Sequence, residues 1–287
     1  MVEIFSYWQV NLSLAVVLFV VLYQFYRLVA KESWETSNIP IIIGFIGSLF
    51  FLLLIPFYEQ TFSASWGVWL LLLGSSIFYV GNDLLKFIGF KYLDTAVVSV
   101  LAQTSKVFMI ILGVIIFREK LNIHQILGVV LILSGSTLVS VKKYKMKINK
   151  YAWSVVGASL FFALAMIIDV GISSKFNLAF YMALIYFIPA GLIFFSRKKK
   201  VSDLKKELFY TKNSFKYLML ASISSAAGMM FYLIALRQGQ VSIVAPLSSV
   251  TVLLNVFAGY IFLKEKDDLT KRIIAAVLVI VGIFLLV

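Results

Sequence analysis

Ten apolar runs, each about 20 residues long, leave this chain almost no room for anything else. They cover roughly residues 10–29, 39–58, 67–89, 95–117, 123–141, 152–172, 177–195, 214–236, 241–263 and 269–287. A helix needs about 20 mostly apolar residues to cross the hydrocarbon core of a bilayer, so each run predicts one transmembrane helix. The longest polar stretch, about Ser196 to Ser214, is too short to be a soluble domain. Hydrophobic residues make up 62% of the 287 and charged ones 14%, against roughly half and a quarter in soluble domains. The chain therefore reads as one all-α integral membrane unit. Trp8, Trp34, Trp66 and Trp153 fall at or beyond the ends of the runs, where an aromatic belt sits, and Trp69 lies slightly deeper. Neither Lys nor Arg precedes Arg27, so the first run reads as a span and not as a cleaved signal peptide.

The second half echoes the first at an offset of 146 residues. GFKYLDTAVVSVLAQTSKVFMIILGVIIFREK, from Gly89, aligns without gaps on ALRQGQVSIVAPLSSVTVLLNVFAGYIFLKEK, from Ala235. Lys91 matches Arg237, Gly113 matches Gly259 and Glu119 matches Glu265. With five spans in each half, an odd number, the copies enter the membrane with opposite orientation. The expected architecture is ten transmembrane helices in two inverted five-helix repeats, residues 1–141 and 142–287. In many secondary transporters such halves exchange conformations to expose a central site to each side in turn.

A net charge of +13 would raise the question of nucleic acid in a soluble protein. Here the charges lie in short loops between spans, so they read as a membrane-surface bias, and no nucleic-acid partner is expected. Loops after odd-numbered spans carry 21 of the 26 basic residues; Arg118, Lys120, Lys175 and Arg237 lie on the opposite, lysine-poor side. The positive-inside rule then puts the lysine-rich loops in the cytoplasm and both termini outside. The absence of cysteine excludes disulfides, thiolate metal sites and cysteine nucleophiles. His124 is the single histidine, at a helix start, and without cysteines it makes no metal site. Neither a metal nor a cofactor is expected, and no GxxxxGK[ST] loop is present to use ATP.

The FKYLDTA and LRQGQVSIVAP corners, the FREKL and LKEKD turns, and the glycine-bearing helices LGVVLILSGSTLV and AAVLVIVGIFLLV resemble the drug/metabolite transporter superfamily, within it the EamA-type ten-helix members. The resemblance covers essentially the whole chain in architecture. It implies a transporter that exports a metabolite more often than it imports one, and it implies cytoplasmic termini, against the charge count. The family usually has a proline in the middle of the fourth helix, where this chain has Lys106; Val252 is the equivalent residue of the ninth, with Pro246 nearer its start.

Lys106 is the leading candidate for a functional side chain. At about 1.5 Å per residue it lies roughly 18 Å from both Asp94 and Arg118, near the bilayer midplane. Ionisable groups at that depth cost about 2.5–3.5 kcal/mol or more and default to function. It either faces an aqueous cavity, binding an anionic group of the solute or releasing a proton, or locks helices together as a structural group. Gln103 and Ser99 share its helical face, which makes that face polar. In the third span, Asn82, Asp83 and Lys86 cluster. Asp83 is expected to pair with Lys86, to pair with Lys106, or to titrate as a proton-coupling carboxylate. Asp169, near the end of the sixth span, is either buried or solvated at the interface. Tyr79, Phe162, Tyr186 and Tyr232 are candidates to shape an apolar pocket. The serines and glycines of spans three and eight suit close helix packing. Glu119 and Glu265 share a structural task, the expected one being to cap the next helix.

These features predict a secondary transporter for a small metabolite such as an amino acid, driven by a proton or other ion gradient and set in the cell membrane. A lipid-linked flippase, with a lateral opening between helices, is the second transport reading. An intramembrane enzyme would need a nucleophile and base at depth; the available pair, Ser105 and Lys106, diverges by about 100° on a helix, so the chain is not expected to be an enzyme.

Overall fold

The computed structural model describes residues 7–35, 37–62, 65–93, 98, 101–140, 150–263 and 269–286. All regular structure in them is helical. The helices are α1 (Trp8–Glu32), α2 (Asn38–Leu54), α3 (Trp66–Tyr92), α4 (Thr104–Ile116), α5 (Ile123–Ser140), α6 (Lys150–Ile172), α7 (Leu178–Ser196), α8 (Val201–Leu208), α9 (Ser214–Gln238), α10 (Val241–Leu247), α11 (Val250–Leu263) and α12 (Leu269–Leu286). Short 3-10 turns, Ile55–Phe57 and Ser173–Lys175, extend α2 and α6. Among the described residues six helices are long and apolar enough to cross a membrane. Four shorter apolar stretches, Thr104–Ile116, Ile123–Leu138, Val241–Asn255 and Ile273–Leu286, fall in the remaining four runs.

Two of the predicted spans are not continuous. The ninth is broken at Ser248 and Ser249 between α10 and α11, and the fourth has a turn at Gln103 just before α4. Apolarity alone reports the length of a span and carries no signal of a change in its axis. The structure also adds α8, an amphipathic helix in the basic loop after α7. Its Leu204 and Glu207 are buried, and Glu207 accepts the Glu35 N–H at 2.8 Å. Lys199 pairs with Glu35 at 2.5 Å, which together with the Ser37 hydroxyl holds that carboxyl below its usual range.

Helix partnerships follow the repeat. α1 packs on α9 as α6 packs on α3; α2 on α9 as α7 on α3; α4 on α6 as α11 on α1. Three further close pairs, α2 with α7, α5 with α12 and α4 with α10, join equivalent spans of the two halves. This is the contact pattern of a two-fold axis relating one half to the other. Ile77, Ile115, Phe195 and Phe284 point outward, as lipid-facing side chains do, while Trp66 and Trp153 are exposed at helix starts.

Lipid offers apolar helices little reason to associate, so close packing must hold them. At the α5–α12 crossing a Cβ on Gly128 would stand 2.7 Å from the Gly282 carbonyl oxygen, and one on Gly282 would stand 2.8 Å from that of Gly128. Both obstacles are backbone and cannot swing aside. Gly128→Val is therefore expected to destabilise by about 3 kcal/mol, the upper part of the usual overpacking range, visible as a lowered melting temperature in detergent; unchanged melting would show that the two helices separate freely. Gly228 serves the α1–α9 contact in the same way, against Leu18 and Phe19.

Candidate substrate pathway

The two helix interruptions meet. Ser249 Oγ donates to Gln103 Oε1 at 3.1 Å, and these residues are 146 positions apart, the repeat offset itself. The backbone turns match as well: Lys106 N donates to Gln103 O at 3.0 Å, and Val252 N to Ser249 O at 2.9 Å. The turn of the ninth span starts from Pro246, whose carbonyl accepts Ser249 N at 2.9 Å, whereas the turn at Gln103 has no proline. Hydroxyls from neighbouring helices satisfy the carbonyls involved, as irregular backbone in a membrane requires. Ser159 of α6 reaches Leu101 O at 3.4 Å, and Ser136 of α5 reaches Ser249 O at 3.3 Å. The centre of the molecule is thus a polar junction on the axis relating the halves.

Lys106 is the third residue of α4, immediately past that junction. Its Nζ lies 5.7 Å from the centroid of the Phe162 ring on α6 and 5.5 Å from that of Tyr232 on α9. Such cation–π contacts compensate part of a buried charge, yet among the described residues no carboxylate forms an ion pair with it. The first turn of α4 holds no acidic residue. The ammonium therefore adds to the positive end of the helix dipole instead of cancelling it. Ser105, its neighbour in sequence, is turned away, its hydroxyl donating to Ala102 O at 2.8 Å. Tyr232 is fully buried with its hydroxyl 3.7 Å from the Met109 sulfur.

Asp83 does not form the expected ion pair with Lys86 or Lys106. Its Oδ1 accepts instead from Asn82 Nδ2 at 2.8 Å. Adjacent residues on a helix diverge by about 100°, so this bond draws the two side chains toward each other. Ser99 lies outside the described residues.

Asp169 is wholly buried, which removes the solvated alternative. Tyr79 of α3 donates to its Oδ2 and Tyr181 of α7 to its Oδ1, both at 2.6 Å. The carboxyl thereby ties three helices together. The Tyr79 ring meets Phe162 edge-on, centroids 6.2 Å apart, and Phe162 lies under Lys106. Seven residues, about 10.5 Å along α6, separate Phe162 from Asp169. One face of α6 thus carries Ser159, Phe162 and Asp169, with the lysine at one end and the carboxyl at the other. Tyr181 and Ser249 were not among the sequence candidates. Ser249 was findable, being Gln103 plus the repeat offset; Tyr181 was not, since nothing in its apolar helix marks the contact. Among the described residues no acidic and histidine side chains cluster to hold a metal.

A family model described as "EamA-like transporter family" matches residues 7–141 and again 149–287. The chain belongs to the EamA-like transporter family. This EamA-like chain also shares its fold with a solved crystal structure at a TM-score of 0.77 and 12% identity, over 95% of this chain and 96% of the other; that structure's title, "Crystal structure of protein", names no activity. No curated protein matches. The matched family and the apolar helices make the chain a multi-pass membrane protein of a transporter family.

Proposed function

We propose that this protein is a secondary transporter of the cell membrane that exports a small amphipathic metabolite, such as an amino acid, by alternating access. The halves 1–141 and 142–287 move against each other about the Gln103–Ser249 junction, and the chain crosses the membrane ten times with its lysine-rich loops in the cytoplasm. Lys106 binds the anionic group of the solute, with Phe162 and Tyr232 as apolar walls. Asp169, held by Tyr79 and Tyr181, is the candidate to carry the coupling proton, and Asn82 and Asp83 border the pathway from α3. The observation that carries this reading is Lys106 itself. A cation with no carboxylate partner among the described residues stands at the positive end of a helix, beside the axis that relates the two halves.

The absence of native cysteine makes the test clean. In Lys106→Cys, a membrane-impermeant thiol reagent is expected to label position 106 from one side of the membrane, because reaction needs the thiolate and thus water. A folded variant that resists labelling from both sides would make Lys106 a buried helix-locking group and remove the assignment. A liposome uptake panel under an imposed proton gradient then identifies the solute.

A further inference from the structure

The turn after the fourth span is built to aim one carboxylate. Phe117 N donates to Gly113 O at 3.0 Å, and Arg118 adopts a left-handed φ of 55°, unusual for a residue other than glycine. The chain thereby folds back so that Glu119 lies over α4. Gly113 makes the space, since a Cβ there would stand 2.7 Å from Glu119 Oε2 and 3.3 Å from Val241 Cβ. The carboxylate does not cap the next helix, as the sequence suggested. Asn122 and Gln125 do that for α5, each side chain accepting the other's N–H at 2.9 and 3.0 Å. Glu119 instead crosses to the other half of the molecule. Its Oε1 accepts from Val241 N at 2.7 Å and its Oε2 from Ser242 N at 2.8 Å. These are the first two N–H groups of α10, which a helix leaves without intrahelical partners, and Gln240 supplies no side-chain cap.

We propose that Glu119 is a gate latch: holding α10 by its leading N–H groups, it closes the route to Lys106 on the lysine-poor side, and transport requires its release. This rests on the transporter reading above. α10 is pinned to the first half at two points, Glu119 at its start and Gln103 through Ser249 just past its end. Seven helical residues span about 10 Å, so freeing the Glu119 end lets α10 pivot about the Ser248–Ser249 break while the central junction stays closed. Glu265, which matches Glu119 at the repeat offset, lies outside the described residues.

The test uses the full-length protein reconstituted with Lys106→Cys as reporter. Adding Glu119→Ala is expected to raise the labelling rate from the lysine-poor side at least fivefold, with no rise from the lysine-rich side. Val241→Pro removes one of the two donors without touching the carboxylate. Proline suits the first turn of a helix, and Gln240 before it, at φ −73° and ψ 130°, already has the conformation proline demands. It should shift labelling in the same direction by a smaller factor, and it keeps the proposal testable where Glu119→Ala fails to fold. Labelling that stays unchanged, or rises equally from both sides, overturns the latch. Labelling that shifts as expected, while the protein with native Lys106 moves no solute in the liposome uptake panel, leaves the latch standing and defeats the transporter reading.

Discussion

Asp169→Leu is expected to cost about 2–6 kcal/mol and to abolish transport. The magnitude follows from its two tyrosine partners. Tyr79 and Tyr181 each donate to the carboxyl at 2.6 Å in a site with no access to water, and a buried polar group left without a partner costs about 1–3 kcal/mol. Leucine takes the carboxyl from both hydroxyls at once, in the place where α3, α6 and α7 join, and leaves Tyr79 only the weak Met166 sulfur acceptor at 3.0 Å. Thermal unfolding in detergent should show the loss directly. Asp169→Asn separates structure from transport: the amide oxygen still accepts one hydroxyl and the amide N–H₂ can donate to the other, so most stability should be retained. Proton-coupled uptake should nevertheless vanish, because an amide cannot carry the coupling proton. Retained uptake in the asparagine variant would reduce Asp169 to a structural tie. The single changes Tyr79→Phe and Tyr181→Phe share one acceptor, so their effects should be non-additive, as they are for residues of one hydrogen-bonded network.

What the sequence disclosed and what it hid divide along a physical line. The spans were legible because crossing a bilayer imposes a length and an apolarity that composition displays directly. The inverted repeat was legible because the corners and turns keep their order at a fixed offset, and that offset reappears as the Gln103–Ser249 hydrogen bond. Lys106 announced itself because a charge at that depth needs a reason. The break in the fourth span was hidden, since it arises at Gln103 without a proline to mark it, whereas the break in the ninth follows Pro246, a visible marker whose effect on the span only the structure shows. Tyr181 was hidden because a tyrosine in an apolar helix reads the same whether its hydroxyl meets a carboxyl or lipid. Glu119 was visible as a recurring residue, yet its partner lies 122 positions away, and local pattern pointed to the neighbouring helix instead. Local sequence describes elements well; contacts between the halves come from the packing.

Lys106→Met is expected to lower transport at least tenfold while leaving the melting temperature unchanged or raised, and that opposition of signs is what makes it decisive. Methionine matches the length of the lysine stem, is flexible enough to fill the same space, and makes its own favourable contacts with aromatic rings in place of the ammonium near Phe162 and Tyr232. It also removes a charge that no carboxylate neutralises among the described residues, at a depth where that charge costs about 2.5–3.5 kcal/mol. A group kept for stability would behave oppositely: its removal would lower melting and transport together. Stability given up at a site is common where function needs a strained or uncompensated group. Lys106→Arg retains the charge but replaces a compact ammonium with a planar fork, so it should keep part of the solute binding and none of the gain in melting temperature. Melting curves and solute uptake on the three proteins, set side by side, decide whether the lysine is held for its cargo or for its helices.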